Sequence, residues 1–229
     1  MTSLYDAAYA ERYRASDDAM AADPGFRQFS PWLARLSGSF GRAIDVLDLG
    51  CGTGRYFASL SNVCELVGLD ASAAMLERAA SPLDAGRITA QRVTLVHGDL
   101  LTHAFAPGRF DLVYSIGVLA EHAPLTPALV DRVAAWLRPG GLFAFSAVHP
   151  ESPTVPRTWK RRLGRAAMPL AFGPIRRWLR ERWCAGGLYA DEGRIRELLA
   201  SSSLRLTSLD TIRTVHLHCL VVAAKPLAA

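Results

Sequence analysis

The sequence predicts an α/β fold with a seven-stranded, mostly parallel sheet and helices on both faces. Apolar segments alternate with helical patterns, several of those segments are continuous apolar runs, and a glycine-rich turn follows the first of them. The 229 residues are 50% hydrophobic, enough for one well-buried domain. We therefore expect a single domain over residues 1–229, with a helical cap at 1–40 and a helical insert at 148–187.

Helical patterns open the chain. Tyr5, Tyr9 and Tyr13 recur at i, i+4 and i+8, which predicts a helix over residues 4–14 with these rings on one face. A second helix is predicted over residues 25–37. Packing explains the tyrosine face, and a cofactor contact through Tyr13 is the alternative.

Strands and helices then alternate along the chain. The predicted strands are residues 43–49, 66–69, 93–96, 112–116, 142–147, 204–211 and 217–223. The predicted helices between and after them are residues 56–60, 73–80, 127–137 and 192–201. Arg138-Pro-Gly-Gly141 predicts a firm stop between a helix and the fifth strand.

The insert at 148–187 carries most of the positive charge. Nine basic residues and one acid lie between Arg157 and Trp183, a net +8, so the rest of the chain carries −3 of the total +5. Trp159, Trp178 and Trp183 share the segment, whose spacing predicts two short basic amphipathic helices. A substrate lid, a peripheral membrane contact through 157–183, an RNA contact and a solvated face all fit this pattern.

The first strand ends in a carboxylate followed by alternating glycines. Asp48, Gly50, Gly52 and Gly54 form a D-x-G-x-G-x-G pattern, in which glycines let the backbone approach a ligand closely. The spacing differs from the G-x-G-x-x-G dinucleotide fingerprint. A carboxylate here suits an ammonium group and would repel a pyrophosphate.

Acids also follow the next two strands. Asp70 lies 20 residues after Gly50, the spacing of a ribose-binding acid in such sheets, although it could instead cap the helix that follows. Asp99 ends the third strand, where a plain loop acid is the alternative. Asp111 begins a strand and is interpreted as structural.

These segments, in this order, resemble the motifs of the class I S-adenosylmethionine (SAM)-dependent methyltransferases that act on small molecules. The run Asp70-Ala-Ser-Ala-Ala-Met-Leu76, the strand from Phe110 to Ile116 and the turn at 137–142 add to the resemblance. It implies a Rossmann-like fold, SAM as cofactor and S-adenosyl-L-homocysteine (SAH) as product. The predicted cofactor-binding residues are Asp48, Gly50, Cys51, Gly52, Asp70, Ala71, Met75, Asp99, Leu100, Ser115 and Tyr13.

The resemblance also assigns roles within this set. Asp99 would accept a hydrogen bond from the adenine amino group, with Leu100 as an apolar edge and Met75 near the ribose and adenine. Ser115 lies at the end of the fourth strand, where the family presents backbone carbonyls to the methionine ammonium.

Two histidines are candidate catalytic bases. His122 follows the fourth strand and His149 the fifth, and both lie near strand ends where open α/β sheets place their clefts. Glu121 is a weaker candidate, and packing is the alternative for His122. Methyl transfer needs a base only when the acceptor must lose a proton, so alignment alone can suffice.

The favoured acceptor is a small molecule methylated at oxygen or nitrogen, apolar with an anionic group that the insert's arginines would bind. RNA methylation through the insert and non-catalytic SAM binding are the alternatives. The fourth strand lacks the N/D-P-P-Y/F motif of enzymes that methylate adenine or glutamine amino groups.

Composition indicates a cytoplasmic protein without metal. Cys51, Cys64, Cys184 and Cys219 show neither C-x-x-C pairing nor zinc spacing, which indicates reduced thiols. Neither a secretory signal nor an apolar run of membrane-spanning length is recognisable.

Overall fold

The computed structural model describes residues 7–17, 19–82, 85–155, 163, 167, 172–173, 175 and 188–227. The strands are β1 (Ile44–Leu49), β2 (Val63–Asp70), β3 (Arg92–His97), β4 (Phe110–Ser115), β5 (Leu137–Val148), β6 (Arg205–Arg213) and β7 (Leu217–Ala224). The described α-helices are α1 (Ala7–Asp17), α2 (Phe26–Gly38), α3 (Ala73–Ala79), α4 (Pro127–Trp136) and α5 (Glu192–Ala200). The two helices predicted within the insert lie outside the described residues, apart from isolated positions.

The seven strands form one sheet in the order β3-β2-β1-β4-β5-β7-β6. Strands β1 to β5 pair in parallel, and β7 runs antiparallel between β5 and β6. The predicted fold class is therefore confirmed, with one antiparallel hairpin on an otherwise parallel sheet. The strand order reverses direction between β1 and β4, the place where open α/β sheets form a ligand crevice.

Both faces of the sheet are covered, as the continuous apolar strands predicted. Alternate residues of β1 serve the two layers: Leu47 packs on the side of α4 and α5, and Val46 on the side of α2 and α3. Helix α2 contributes Phe29, Trp32 and Leu33 to its layer, all of them buried. The side chains that a parallel sheet hides on both faces thus become a two-layered core.

Two predicted elements were wrong in detail. Residues 56–60 form no α-helix; a short 3-10 turn, Phe57–Ser59, stands there. Positive φ angles at Gly52 and Gly54 oppose continuation of a right-handed helix from the turn. The predicted stop at 138–141 lies inside β5, where an irregularity in the pairing with β4 accommodates it.

The described residues contain no helix long and apolar enough to cross a membrane. Within the same part of the chain, no group of three His, Cys, Asp or Glu side chains is placed to hold a metal ion. Cys51, Cys64 and Cys219 are free thiols, and Cys184 lies outside the described residues.

Candidate functional site

A cavity of about 720 Å³ opens at the carboxyl ends of β1, β2 and β4. Its walls come from the glycine turn, the ends of β2 and β3, the loop after β4, helix α1, the start of α2 and the β6–β7 hairpin. Most of the predicted site residues lie in this lining: Asp48, Gly50, Cys51, Gly52, Asp70, Ala71, Met75, Asp99, Leu100, Tyr13 and His122.

The glycine turn is held against the end of β2. The backbone N–H groups of Gly50 and Cys51 both donate to the Leu69 carbonyl, at 2.8 and 3.1 Å. Gly50 has φ of 79°, and a Cβ there would come within 2.5 Å of Val118. Gly52 also has positive φ (55°), with no atom within 4 Å of the Cβ it lacks. Glycine is therefore demanded at 50 by conformation and crowding, whereas at 52 it leaves open space beside the backbone.

Asp70 ties this turn to the next helix. Its Oδ2 accepts a hydrogen bond from the Gly52 N–H (2.9 Å) and its Oδ1 accepts one from the Ser72 N–H (2.8 Å). Ser72, rather than Asp70, caps α3, because its Oγ accepts from the Met75 N–H. Each carboxylate oxygen of Asp70 keeps a further lone pair for a donor inside the cavity, which is what a ribose diol needs.

Asp48 lies deeper in the same wall. Its side chain is buried, and the Tyr114 hydroxyl donates a 2.7 Å hydrogen bond to Oδ2. Burial raises the pKa of the Asp48 carboxyl to about 8, although the Tyr114 hydrogen bond opposes the rise. A cationic ligand beside Asp48 would supply a positive partner and so stabilise the ionised form of this buried carboxyl.

The far side of the turn is apolar around one acid. Asp99 Oδ1 accepts a hydrogen bond from the Leu101 N–H (2.7 Å), which holds the turn that follows β3. Leu100, the buried Met75 and the exposed Ala71 also line the cavity. This wall offers a hydrogen-bond acceptor at the edge of an apolar slot, a suitable surface for a planar heterocycle.

Helix α1 closes the cavity from the amino-terminal side. Tyr13 stacks on Tyr9 with centroids 6.1 Å apart, and the Arg55 guanidinium lies 5.5 Å from the Tyr13 ring centroid. Burial raises the pKa of Tyr13 to about 12, so its hydroxyl stays protonated at neutral pH. Asp17, at the end of α1, binds Arg55 at 2.7 Å and accepts from the Thr53 hydroxyl at 2.5 Å.

Two predicted site residues are not among the described residues that line the cavity. Ser115 is fully buried, and its hydroxyl donates to the Leu49 carbonyl at 2.8 Å, which joins β4 to β1. His149 Nε2 lies 3.3 Å from Glu192, and its Nδ1 accepts from the Glu151 N–H. Both side chains are engaged in holding elements together.

The sequence-based predictions did not include two histidines of the lining, and they ranked Glu121 below the histidines. His216 and His218, on the β6–β7 hairpin, line the cavity together with His122 and Glu121. Burial lowers the pKa of His218 to about 4, and burial and the neighbouring His216 lower that of His122. The sequence shows the pair His216-Leu-His218 at the start of the last strand. Only the antiparallel pairing of β7 with β5 shows that this end of the strand lies at the cavity.

A family model described as a methyltransferase domain matches residues 46–141. The matched residues carry the glycine turn and the ends of β1, β2, β3 and β4. This chain is similar to trans-aconitate 2-methyltransferase of Deinococcus radiodurans, 38% identical over 102 residues that make up 43% of this chain and 36% of that protein. It is also similar to demethylmenaquinone methyltransferase of Lactococcus lactis, 29% identical over 143 residues, 59% of this chain and 56% of that protein. The matches thus span about a third to just over half of the two relatives.

A solved structure shows the class I methyltransferase fold along nearly the whole chain. The N-methyltransferase NodS of Bradyrhizobium japonicum, in complex with SAH, superposes with a TM-score of 0.63 and 22% identity, over 95% of this chain and 96% of that one. At this identity the likeness establishes the fold. The chemistry of this chain depends on the residues that line its own cavity.

The described lining of the cavity is rich in carboxyl groups. It contains Asp23, Asp48, Asp70, Asp99 and Glu121, against a single guanidinium, Arg55, which is already bound to Asp17. Such a surface favours cationic groups over phosphates.

Proposed function

We propose that this protein binds SAM in the cavity and transfers its methyl group to a small-molecule acceptor, at oxygen or nitrogen. The observation that carries the proposal is the Asp70 carboxylate, which holds the Gly52 N–H on one side and faces the cavity with spare lone pairs on the other. The similarity to small-molecule methyltransferases supports it.

The residues around the cavity suit the ammonium, the ribose and the adenine of SAM. Asp48 is placed for the ammonium, Asp70 for the ribose hydroxyls and Asp99 for the adenine amino group, with Met75 and Leu100 for the apolar faces. When bound, SAM supplies a methyl group on a sulfonium, which is a good leaving group. The protein's contribution is to hold the donor and the acceptor in line and to exclude water.

The described residues do not favour RNA as the acceptor. The basic insert on which that alternative depended lies outside them, and the carboxyl groups of the cavity would repel a phosphate backbone. Binding of SAM without catalysis stays an alternative that only an acceptor assay can test.

Calorimetry with SAM, SAH and NAD tests the cofactor assignment. We expect SAM and SAH to bind and NAD not to bind, and Asp70→Asn to weaken SAM by about tenfold or more, because hydrogen bonds to a charged group are lost. Asp131→Asn, an exposed residue of α4 outside the cavity lining, serves as the matched control and should leave the affinity unchanged. Unaltered SAM binding in Asp70→Asn would remove the ribose assignment, and preference for NAD would remove the function.

A further inference from the structure

The cavity is larger than the set of residues assigned to SAM. The rest of its lining includes two acids, several aromatic residues and part of the hairpin: Asp23, Glu121, His122, Phe29, Tyr56, the tyrosines of α1, Thr214, Val215, His216 and His218. This second group is mostly aromatic and contains two carboxyl groups, Glu121 and Asp23. Its chemistry bears on which acceptor the site takes.

Asp23 already accepts one hydrogen bond within the fold. Its Oδ1 accepts a 2.7 Å hydrogen bond from the Phe26 N–H at the start of α2. Glu121 differs, because no described residue donates a hydrogen bond to its carboxylate. The nearest basic atom is Nε2 of the adjacent His122, 3.8 Å from Oε1. Glu121 is thus the carboxyl group of this region that no described hydrogen-bond donor holds.

The backbone around Glu121 is strained in a way that holds its position. Ala120, fully buried, has φ of 57°, which is unfavourable for a residue with a Cβ. The N–H groups of Glu121, His122 and Ala123 all donate to the Val118 carbonyl, at 3.3, 2.8 and 2.9 Å. This tight loop keeps Glu121 and His122 at the cavity wall.

The described groups near Glu121 do not supply a positive charge to its carboxylate. Burial chiefly raises the pKa of Tyr13, and the charge of Glu121 adds to that rise, which places the two side chains in electrostatic contact. The lowered pKa values of His122 and His218 keep both imidazoles neutral at pH 7. Arg55, the guanidinium of the described lining, is neutralised by Asp17.

We propose, on the basis of the function above, that the acceptor is an amine on an apolar body, bound as an ammonium by Glu121 with its body against Phe29, Tyr56 and Val215. Aromatic walls around a carboxylate favour a cation and a hydrophobic group together. An anionic acceptor would meet carboxyl groups here, so the anionic group expected from the sequence finds no partner among the described residues.

The transfer step balances with the groups present. Glu121 takes one proton from the ammonium and frees the nitrogen lone pair. The nitrogen lone pair then forms a bond to the methyl carbon while the carbon–sulfur bond breaks. The electron pair of the broken bond stays on sulfur and neutralises the sulfonium. The product leaves as a methylated ammonium. Burial raises the pKa of Glu121 to about 7. This value is nearer to the pKa of an ammonium group than that of an ordinary carboxyl, so Glu121 is a better proton acceptor.

Binding of matched probes to the SAH-loaded protein tests this acceptor class. The probes are benzylamine and phenethylamine, their alcohols, and benzoate and phenylacetate, which share ring and chain and differ in the polar group. We expect at least one amine to bind about tenfold or more tightly than its alcohol and carboxylate counterparts, and Glu121→Gln to abolish this preference. Labelled methyl from SAM should appear on the same amines and decrease in that variant.

Glu77→Gln, on the exposed side of α3, is the matched control and should keep the amine preference. Equal or tighter binding of an alcohol or a carboxylate, an amine affinity unaltered by Glu121→Gln, or no amine binding at all would overturn the proposal. In each of those results SAH still binds, so the methyltransferase proposal survives. Failure to bind SAH would remove both.

Discussion

At the scale of single residues, the cavity depends on carboxyl groups in three different states. Asp70 is held by two backbone N–H groups, Asp48 is buried against Tyr114, and Glu121 has no described hydrogen-bond donor. Burial is the dominant influence on the pKa of Asp48 and of Glu121. A carboxyl group can therefore bind a diol, an ammonium or a proton according to its surroundings.

Asp48 makes the affinity for SAM depend on pH. Its pKa of about 8 means that it is mostly protonated at pH 7 in the free protein, yet pairing with an ammonium requires the carboxylate. Affinity should therefore rise by about tenfold per pH unit well below pH 8 and level off as pH 8 is approached. Above this it should fall, because an α-amino group itself loses its proton at about 8.

Calorimetry in two buffers of different ionisation heat measures the proton released at pH 7. Asp48→Asn should weaken binding and remove both the release and the rising limb, which separates this effect from titration of Glu121. A pH-independent affinity in the unaltered protein would contradict the assigned role of Asp48.

At the scale of elements, helix α1 acts as a wall of the cavity. Asp17 joins it to the glycine turn through Thr53 and Arg55, and its side chain is only 3% exposed. Further along, Glu11 pairs with Arg78 of α3 on the surface. The inner contact is desolvated and the outer one is screened by water, so the two should differ in energy.

Asp17→Asn should loosen α1 by about 3 kcal/mol, since it leaves Arg55 without its partner in a largely buried place. We expect faster hydrogen exchange of the α1 amides and weaker SAM binding. Glu11→Gln, a matched acid-to-amide change on the same helix, should alter neither. Equal effects of the two variants would show that the inner contact does not hold the helix.

At the scale of the whole molecule, stability and ligand binding lie at opposite edges of the sheet. Asp111, at the start of β4, binds Arg42 at 2.7 Å and Arg138 at 2.5 Å and accepts from the Asp45 N–H. The amino ends of β1, β4 and β5 meet there, far along the strands from the cavity. The sequence-based interpretation of Asp111 as structural agrees with this placement.

Asp111→Asn should lower the free energy of unfolding by about 2 kcal/mol, because the buried side chain loses its charged hydrogen bonds to Arg42 and Arg138 while both guanidinium groups stay partly hydrated. SAM affinity should stay unchanged. Burial opposes ionisation of Asp111, but the Arg42 and backbone hydrogen bonds outweigh it and hold its pKa below the usual range. This stabilisation is present above the carboxyl's ordinary pKa, about 4, and is lost as the pH falls through the lowered value.

Denaturant unfolding at pH 7 and at pH 3 measures both effects. The difference in stability between the original protein and the variant should shrink in acid. A variant that unfolds normally but fails to bind SAM would contradict the separation of the two edges.

The sequence by itself determined the strands and the residues at their carboxyl ends. Unbroken apolar runs and glycines are local signals, and parallel strands carry their last residues to one edge, so Asp48, Asp70 and Asp99 could be placed together from the sequence. Ser115 and His149 met the same rule, yet their side chains bind neighbouring elements.

Only the tertiary structure decided the rest of the cavity. The tyrosines of α1 line it because Asp17 holds that helix against the glycine turn, and His216 and His218 line it through the antiparallel return of β7. A strained loop positions Glu121. These placements depend on contacts between segments far apart in the chain. Such contacts leave no periodic mark on the sequence, because the energy that selects them arises only once the sheet has formed.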